Sequence, residues 1–454
     1  MTINLKPVWV AATGMFMGTL SMSPAVLAVD LMGVHDLAIK SDPILQAAAF
    51  RRQATDENKR QAWANLLPQI DLSGNLERGT SETSIMGATV SDVDVDSENY
   101  RAQLLMSLYN QGNYEQLDIA RGQISQAEAV YQTAFQDFLL RVADSYFLVL
   151  TNIDNVTFAE AEEEALQRQF EQAEQRFEVG LTAVTDVHEA RASYDNARAR
   201  AIVARNNLED AKEALRELTG VLFEEYDRLQ KDLPLVEPNP NSAEEWVEVA
   251  LAENPSLLAS RAAVDVAEAT MRLERSGHFP TLDLSASYNE YTNNEFLLVD
   301  DEQNEIGTTA LTADDARVGL TLSIPIYRGG RVSSRTRQAR YLLDATTQDM
   351  DQSQRATVRN TENSYRAVLA GIQEVEAFKQ AEISAESALE ATQAGFEVGT
   401  RTIVDVLIAN QRLFQSQRDN SEARHQYILN HLRLQANAGR LDSEDLAVVN
   451  QLLE

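Results

Sequence analysis

The chain has 454 residues, contains no cysteine and carries a formal charge of −31. The lack of cysteine excludes a disulfide framework and thiolate metal sites, and the acidic charge argues against a nucleic-acid-binding protein, because phosphate binding needs clustered Lys and Arg. The length allows several domains or one elongated repeat protein.

The first predicted element is a secretory signal peptide over residues 1–28. Lys6 precedes a largely apolar run from Pro7 to Leu20, and small or β-branched residues stand before an expected cleavage after Ala28. The alternative is a membrane anchor, which needs about 20 apolar residues. Thr13 and Gly18 dilute this run, so we expect a mature protein outside the cytoplasm.

Four stretches alternate apolar and polar residues with a period of two, which predicts strands with one apolar and one polar face. At about ten or eleven residues, a tilted strand spans an apolar band about 25 Å tall. In an exported protein this pattern predicts an outer-membrane β-barrel. The apolar positions are Ile70, Leu72 and Leu76, then Tyr100, Ala102, Leu104, Met106 and Leu108, then Leu282, Leu284, Ala286 and Tyr288, and finally Val318, Leu320, Leu322, Ile324 and Ile326.

The connections between paired strands, 79–99 and 291–316, are predicted to be long acidic loops, as is typical of an extracellular face. Asp92, Asp94 and Asp96 match the start of a calcium-binding loop. Ser97 and Gln103 stand where such a loop needs glycine and glutamate. We therefore predict a solvated loop and no metal site. The other acids of these loops are Glu98, Asp300, Asp301 and Glu302.

Long helices are predicted after the strands, because proline is absent from 69–233 and from 326–454 and would cost about 3 kcal/mol in a helix interior. Apolar residues recur every seven positions with alanines between them, which is typical of a coiled-coil seam with close helix approach. A helix from Gly112 to Phe177 would be about 100 Å long, and Arg331 to Gly395 gives a similar rod. The seam residues are Leu117, Ile124, Tyr131 and Phe138, with Ala120, Ala127 and Ala134.

The two halves of the chain repeat each other. FEVGLTAVTDVHEAR at 177–191 returns as FEVGTRTIVDVLIAN at 396–410, and LPQIDLS at 67–73 returns as FPTLDLS at 279–285. Such self-similarity predicts a tandem duplication of roughly two hundred residues. Gly180 and Gly399 are predicted to supply the left-handed residue that ends each descending helix, and the stretch 402–405 fits a capping box.

Four strands cannot close a barrel, and open edges in lipid leave backbone groups unsatisfied. Two copies would give eight strands, whose interior is filled by side chains, whereas three copies give twelve strands and room for a lumen. We therefore expect an α+β fold in which a trimeric 12-stranded β-barrel, with four strands per protomer, is continuous with a long 12-helix α-barrel.

The chain resembles the TolC-type outer-membrane efflux channels, the outer membrane factor family, from about residue 30 to 450. The motifs that carry this resemblance are LLPQIDLS, FPTLDLSASY, LSIPIYRGGRV at 322–332, RFEVGLTAVTDVHEARASYD at 176–195 and, most specifically, VGTRTIVDVL at 398–407. The resemblance implies a homotrimer in the outer membrane of a Gram-negative bacterium that extends into the periplasm and has a mixed equatorial domain.

The implied function is a passive exit duct for tripartite drug efflux, type I protein secretion, or both. A periplasmic adaptor (membrane fusion) protein and an inner-membrane RND, ABC or MFS transporter would recruit the duct and open an iris-like periplasmic gate. The expected division of the chain is 1–28 signal peptide, 29–67 equatorial and helical segment, 68–110 first β-hairpin, 111–220 first helical hairpin, 221–279 equatorial domain and helix, 280–327 second β-hairpin, 328–436 second helical hairpin and 437–454 C-terminal equatorial segment.

The resemblance also implies where the gate lies. Thr185, Asp186, Phe396 and Arg401 would form the contacts that hold the tip shut, with Arg401 paired to Asp186, and Asp405 would form a ring that selects cations. This chain departs from the family at two positions: Phe396 replaces a tyrosine, and Ile408 replaces a second ring aspartate. We expect one polar latch fewer and weaker block by trivalent cations than in a two-ring relative.

Two surface features complete the expectations. The tip turns would dock the adaptor through Val179, Gly180, Leu181, Val398, Gly399 and Thr400. Just after the last strand, an arginine cluster is expected either to meet lipid headgroups or to pair with acidic neighbours; its members are Arg328, Arg331, Arg335, Arg337 and Arg340.

Other function classes have less support. The five histidines show no metal-ligand spacing, and no HExxH, G-x-S-x-G or P-loop motif occurs, so we predict no enzyme activity and no cofactor. A soluble periplasmic coiled-coil adaptor or scaffold is the alternative function. It accounts for the long helices but not for four alternating strands of membrane-spanning length.

Overall fold

The computed structural model describes the backbone of residues 28–85, 88–299 and 305–454, and the side chains of these ranges except 81–95 and 295–308. The predicted signal peptide therefore lies outside the described residues, apart from Ala28. Asp300, Asp301 and Glu302 of the second predicted loop also lie outside them.

One antiparallel sheet holds the four strands in chain order. Across it, Leu72 lies opposite Ala102, Leu104 opposite Ala286 and Leu284 opposite Leu320, so these predicted apolar positions share one face. Leu108 departs from the prediction, because an irregularity after Ser107 places Tyr109 opposite Leu282. The outer strands carry large exposed apolar side chains on that face. The strands are β1 (Gln69–Ile85), β2 (Ala88–Asn110), β3 (Thr281–Val299) and β4 (Glu305–Ser323).

The prediction of long loops at 79–99 and 291–316 is wrong in extent. The ladder between β1 and β2 continues until Ile85 lies opposite Ala88, and β3 remains paired with β4 up to Val299. These extensions lack apolar alternation, but antiparallel pairing uses backbone groups, and the β-branched threonines there favour strands. Cross-strand charge adds support, since Arg78 Nη2 lies 2.6 Å from Asp96 Oδ2.

The two predicted rods are confirmed as single helices of 68 and 67 residues. In the described ranges, no helix combines the length and apolarity needed to cross a bilayer. The helices are α1 (Leu31–Ser41), α2 (Pro43–Ala64), α3 (Gln111–Glu178), α4 (Val184–Thr219), α5 (Ala243–Glu253), α6 (Pro255–Ser276), α7 (Arg331–Glu397), α8 (Ile403–Ala438) and α9 (Ser443–Asn450).

The returning helices α4 and α8 have 36 residues each, about half the length of the rods beside them. Both stop at a left-handed glycine, Gly220 with φ 75° and Gly439 with φ 84°, at matching positions of the repeat. Nearer the sheet, α2 packs on α3, and α6 packs on both α3 and α7. Each chain thus supplies four helices near the sheet and four in the helical hairpins, because α3 and α7 belong to both levels. The helices near the sheet are α2, α3, α6 and α7, and those of the hairpins are α3, α4, α7 and α8.

The main core lies where the returning helices end. Phe138 and Tyr146 of α3, Trp246 of α5, Tyr427 of α8 and Leu446 of α9 are all buried in it. The Tyr146 hydroxyl is 3.1 Å from the carbonyl oxygen of Val29 and 2.8 Å from that of Asp227, so the incoming segments are fixed to the rod. We call this core the collar. It holds α3 and α7 at mid-length, and the helical hairpins extend beyond it.

Candidate functional site

Each of the two helical hairpins has a turn of the same type at its tip, as the repeated sequence predicts. Gly180 has φ 76° and Gly399 has φ 79°, a left-handed conformation that costs glycine little. The Leu181 amide donates to the carbonyl of Arg176 at 2.8 Å, and the Thr400 amide donates to that of Gly395 at 2.8 Å. These bonds satisfy carbonyls at the helix ends, so the prediction for both glycines is confirmed.

The chain re-enters a helix differently in the two turns. At the start of α8, the Thr402 amide and hydroxyl each donate to Asp405 Oδ2 at 2.9 Å, and the Asp405 amide donates back to Thr402 Oγ1 at 3.3 Å. This confirms the predicted capping box. In the first turn the N-cap is Ala183 and makes no side-chain cap; Asp186 instead accepts a short hydrogen bond from the Thr182 hydroxyl.

Electrostatics keep the Asp405 carboxylate charged. Hydrogen bonds from the backbone and hydroxyl of Thr402 lower the pKa of Asp405, and the nearby charge of Arg401 lowers it further. Ile408 follows three residues later, which places it on the same side of α8, and its side chain is 42% exposed. Val406 and Leu407 between them are buried. The proposed ring positions therefore lie on the side of α8 that its own chain leaves open.

An apolar cluster joins the two hairpins close to the turns. Its buried members are Leu166, Ala173, Ala190, Ala197, Ile403 and Leu407, and Phe396 packs against them. The Arg176 guanidinium lies over the Phe396 ring, with Cζ 4.6 Å from the ring centroid. This contact links the end of α3 to the end of α7. Arg176 was missed in the sequence, where no local pattern relates it to a ring 220 residues later.

The predicted latch residues are only partly brought together within one chain. Phe396 is packed at the junction, whereas Thr185 and Arg401 are exposed. The Arg401 side chain lies over Gly395, where an added Cβ would be 2.8 Å from Arg401 Cγ. Among the ion pairs of the described residues, none joins Arg401 to Asp186. The pairing of Arg401 with Asp186 stays a prediction, and it would have to form between two copies of the chain.

The rim of the tip is open and apolar. Val179, Leu181 and Val398 expose 69%, 70% and 76% of their surface. An added Cβ at Gly180 or Gly399 would meet nothing within 4 Å. The chain therefore presents two similar small apolar projections at its tip, in the places where the sequence predicts docking.

A buried charge network lies farther up the hairpins. Glu162 of α3 is 0% exposed; its Oε1 lies 2.6 Å from Arg200 Nη2 of α4, and its Oε2 lies 3.3 Å from Arg418 Nη1 of α8. A buried carboxylate needs such partners, because desolvation is costly. The network joins three helices. No sequence pattern distinguishes Glu162, because it stands within the acidic run from Glu160 to Glu164.

The described part of the chain contains no candidate metal site, because no group of three or more His, Asp or Glu side chains there could hold an ion. Of the three aspartates that resemble a calcium loop, only Asp96 has a described side chain, and it pairs with Arg78. The side chains of Asp92 and Asp94 lie outside the described residues.

Comparison with known proteins places this geometry among channel proteins. A family model described as outer membrane efflux protein matches residues 34–221 and 246–440, one match in each half of the repeat. The chain is 38% identical to outer membrane protein TolC of Vibrio cholerae over 98% of both chains. It is 34% identical to TolC of Escherichia coli, over 94% of this chain and 85% of that protein.

More distant relatives share the length and the fold. Alkaline protease secretion protein AprF of Pseudomonas aeruginosa is 29% identical over 93% of this chain and 87% of its own. The crystal structure of the outer membrane protein VceC of Vibrio cholerae superposes with a TM-score of 0.74 at 18% identity, covering 90% of this chain and 96% of that one. At this identity the superposition shows the fold alone.

Proposed function

The chain belongs to the outer membrane efflux protein family, and from that premise we propose that its helical tip is the gate of the duct. The protein is an outer-membrane exit duct, so the expected resemblance, fold class and location are confirmed. The alternative of a soluble periplasmic scaffold is wrong. The relatives of this chain are channels and not enzymes.

The observation that carries the duct function is the continuity of sheet and rods within one chain. β2 leads directly into α3 at Gln111, and β4 leads into α7 through a short turn before Arg331. β1 and β4 are the edge strands of the sheet, so three copies joined edge to edge would give twelve strands. Four helices at each level would then give a twelve-helix tunnel below the barrel.

Gating would act at the tip, where the hairpins are least held. The collar fixes α3 and α7 at mid-length, whereas near the tip the described residues are held by two small apolar clusters and the Arg176–Phe396 contact. Arg401 is exposed and unpaired with its own Asp186, so it is free to reach Asp186 of an adjacent copy. Three such pairs would close the tip, and their loss would let the hairpins separate as in an iris.

Selectivity would come from Asp405. Three copies bring three carboxylates to the narrowest point, and the lowered pKa of Asp405 keeps them ionised at neutral pH. A ring of carboxylates attracts cations and repels anions. Ile408 supplies an apolar ring beside it, so a second layer of negative charge is missing.

Docking of a periplasmic adaptor would use the apolar rim of both turns. Inner-membrane transporters of the RND, ABC or MFS classes would supply energy, and the cargo would be small molecules or secreted protein. Two relatives support both uses: AprF is an alkaline protease secretion protein, and CzcC of Cupriavidus metallidurans, 26% identical over 64% of this chain, is a cobalt-zinc-cadmium resistance protein.

A single-cysteine experiment tests the docking, because the natural chain has no cysteine. Val398→Cys, beside the left-handed Gly399 rather than on it, would carry a photo-cross-linker in intact cells, and Ile383→Cys, exposed four turns up α7, is the control. We expect an adaptor to be captured from Val398 and not from Ile383. Equal capture from both positions would contradict docking at the turns while leaving the duct itself untouched.

Conductance of the purified protein in a planar bilayer tests the gate and the duct together. We expect a small cation-selective conductance for the natural protein and a larger one for Arg401→Ala. Absence of any channel would contradict the duct, whereas an unchanged conductance in the variant would contradict only the latch.

A further inference from the structure

A basic segment follows the sheet in an otherwise acidic chain. All five arginines of the cluster at 328–340 are exposed. Within the part of the chain that the structure describes, only Arg335 meets a carboxylate, with Nη1 4.0 Å from Glu274 Oε2. Apart from this long contact of Arg335, the cluster has no carboxylate partner among the described residues, although the formal charge of the protein is −31.

The apolar face of β4 leads directly to this cluster. Val318, Leu320 and Leu322 expose their side chains on one face of the strand, and Ile326 continues the alternation with 94% exposure. Tyr327 follows with 85% exposure. Aromatic side chains collect at the edge of the apolar band of membrane proteins, so Tyr327 marks where that face leaves the hydrocarbon.

The ends of the other strands agree with this level. Trp63 lies in the last turn of α2, six residues before β1, Tyr109 lies at the end of β2, and Phe279 lies two residues before β3, and all three are exposed. An exposed aromatic residue therefore lies on or near each junction between a strand and a helix. The cluster begins at this shared boundary and extends away from the membrane.

Depth separates four of the five arginines into two groups, and Arg335 lies at the boundary between them. The headgroup layer on one side of a bilayer is about 5–7 Å thick, and α7 advances about 1.5 Å per residue. Measured from Arg331, Arg335 lies about 6 Å lower, Arg337 about 9 Å and Arg340 about 14 Å. Only Arg328 and Arg331 lie wholly within headgroup depth, and the last two lie below it.

A turn brings the upper two arginines together. The Arg331 amide donates to the carbonyl of Arg328 at 3.1 Å, across Gly329 and Gly330, which have φ 61° and 76°. An added Cβ at either glycine would meet nothing within 4 Å, so the turn is open on its outer side. Two planar guanidinium groups on one turn can each bind a phosphate through paired N–H donors.

We propose that Arg328 and Arg331 bind the phosphate of anionic phospholipids at the periplasmic edge of the sheet. The apolar face above them would receive the acyl chains, and Tyr327 would lie between chain and headgroup. This site rests on the outer-membrane location of the protein and does not depend on the proposed gate. Arg337 and Arg340 share the residue type and exposure but lie too deep, so they form a matched control.

Native mass spectrometry of the full-length protein in detergent tests the proposal. The probes are phosphatidylglycerol and phosphatidylethanolamine, supplied as an equimolar mixture. One arginine near an anionic surface contributes about a fivefold preference, so with two arginines we expect the natural protein to retain phosphatidylglycerol about 25-fold better. R328Q/R331Q should reduce this ratio to about one, and R337Q/R340Q should leave it unchanged.

Three outcomes would overturn the proposal. One is an unchanged ratio in R328Q/R331Q, and another is an equal loss in R337Q/R340Q, which would indicate a general charge effect. The third is loss of the oligomer together with the lipid, which would assign the arginines to subunit contacts. R328Q alone, which should lower the preference about fivefold, guards against a folding failure. Added inorganic phosphate separates a lipid site from a free-anion site, because only a free-anion site should lose its preference to millimolar phosphate.

Discussion

Removing the Arg176 guanidinium should loosen the tip without disturbing the turns. Its Cζ lies 4.6 Å from the Phe396 ring centroid, and a partly exposed contact of this kind contributes about 0.5–1 kcal/mol. If three copies open together, Arg176→Gln removes about 1.5–3 kcal/mol from the closed state. That corresponds to a roughly 10- to 150-fold larger ratio of open to closed channels.

Single-channel recording in planar bilayers measures this ratio as the fraction of time spent in the high-conductance state. Arg168→Gln is the control, because Arg168 is exposed on the same helix and pairs only with Glu164, at 3.4 Å, among the described residues. The reasoning is refuted if R176Q gates like the natural protein, or if R168Q raises the open fraction as much. Gel filtration of both variants checks that assembly is unchanged.

Three further predictions concern the charges of the hairpins. Glu162→Gln should destabilise the protein by on the order of 2 kcal/mol, because two arginines lose their shared carboxylate, whereas the exposed Glu160→Gln should change thermal unfolding little. Ile408→Asp should tighten block by trivalent cations in planar bilayers and Asp405→Asn should abolish it; equal block in all three proteins would contradict the ring. Burial lowers the pKa of His425 to about 4 from an ordinary value near 6.5, so the unfolded chain binds its proton first as pH falls. Stability should therefore be lost between pH 6.5 and about 4, by at most about 3 kcal/mol, and H425N should flatten this slope in denaturant titrations.

The sequence predicted those parts of the fold that depend on short-range patterns. The seven-residue recurrence from Leu117 to Phe138 and the lack of proline gave the rods, and glycine at 180 and 399 gave the turns. The prediction of where the strands end was wrong, because apolar alternation stops where a strand leaves the apolar band, whereas the backbone hydrogen bonds between strands continue. Alternation of apolar residues with a period of two predicts a strand that has a buried or lipid-facing side. It cannot predict a strand with two polar faces.

The missed contacts at the tip have a different cause. Arg176 reaches Phe396 and Glu162 reaches Arg418 only because the collar sets the two hairpins side by side, and these partners are more than two hundred residues apart along the chain. A single sequence carries no pairing information at that separation. The repeat could align equivalent positions, but aligned positions are not in contact, so it could not reveal which residue meets which.

The repeat does show why the two copies of the tip can act differently. Thr182 and Arg401 occupy equivalent positions, as do Asp186 and Asp405. In the first copy Thr182 binds its own Asp186, so that turn is internally satisfied and its aspartate stays in place as an acceptor. In the second copy Thr402 holds Asp405, and Arg401 is exposed and makes no ion pair shorter than 4.0 Å among the described residues. We therefore propose that the first turn supplies the acceptor and the second turn the donor, a pair that would join neighbouring copies only when both turns meet at a closed tip.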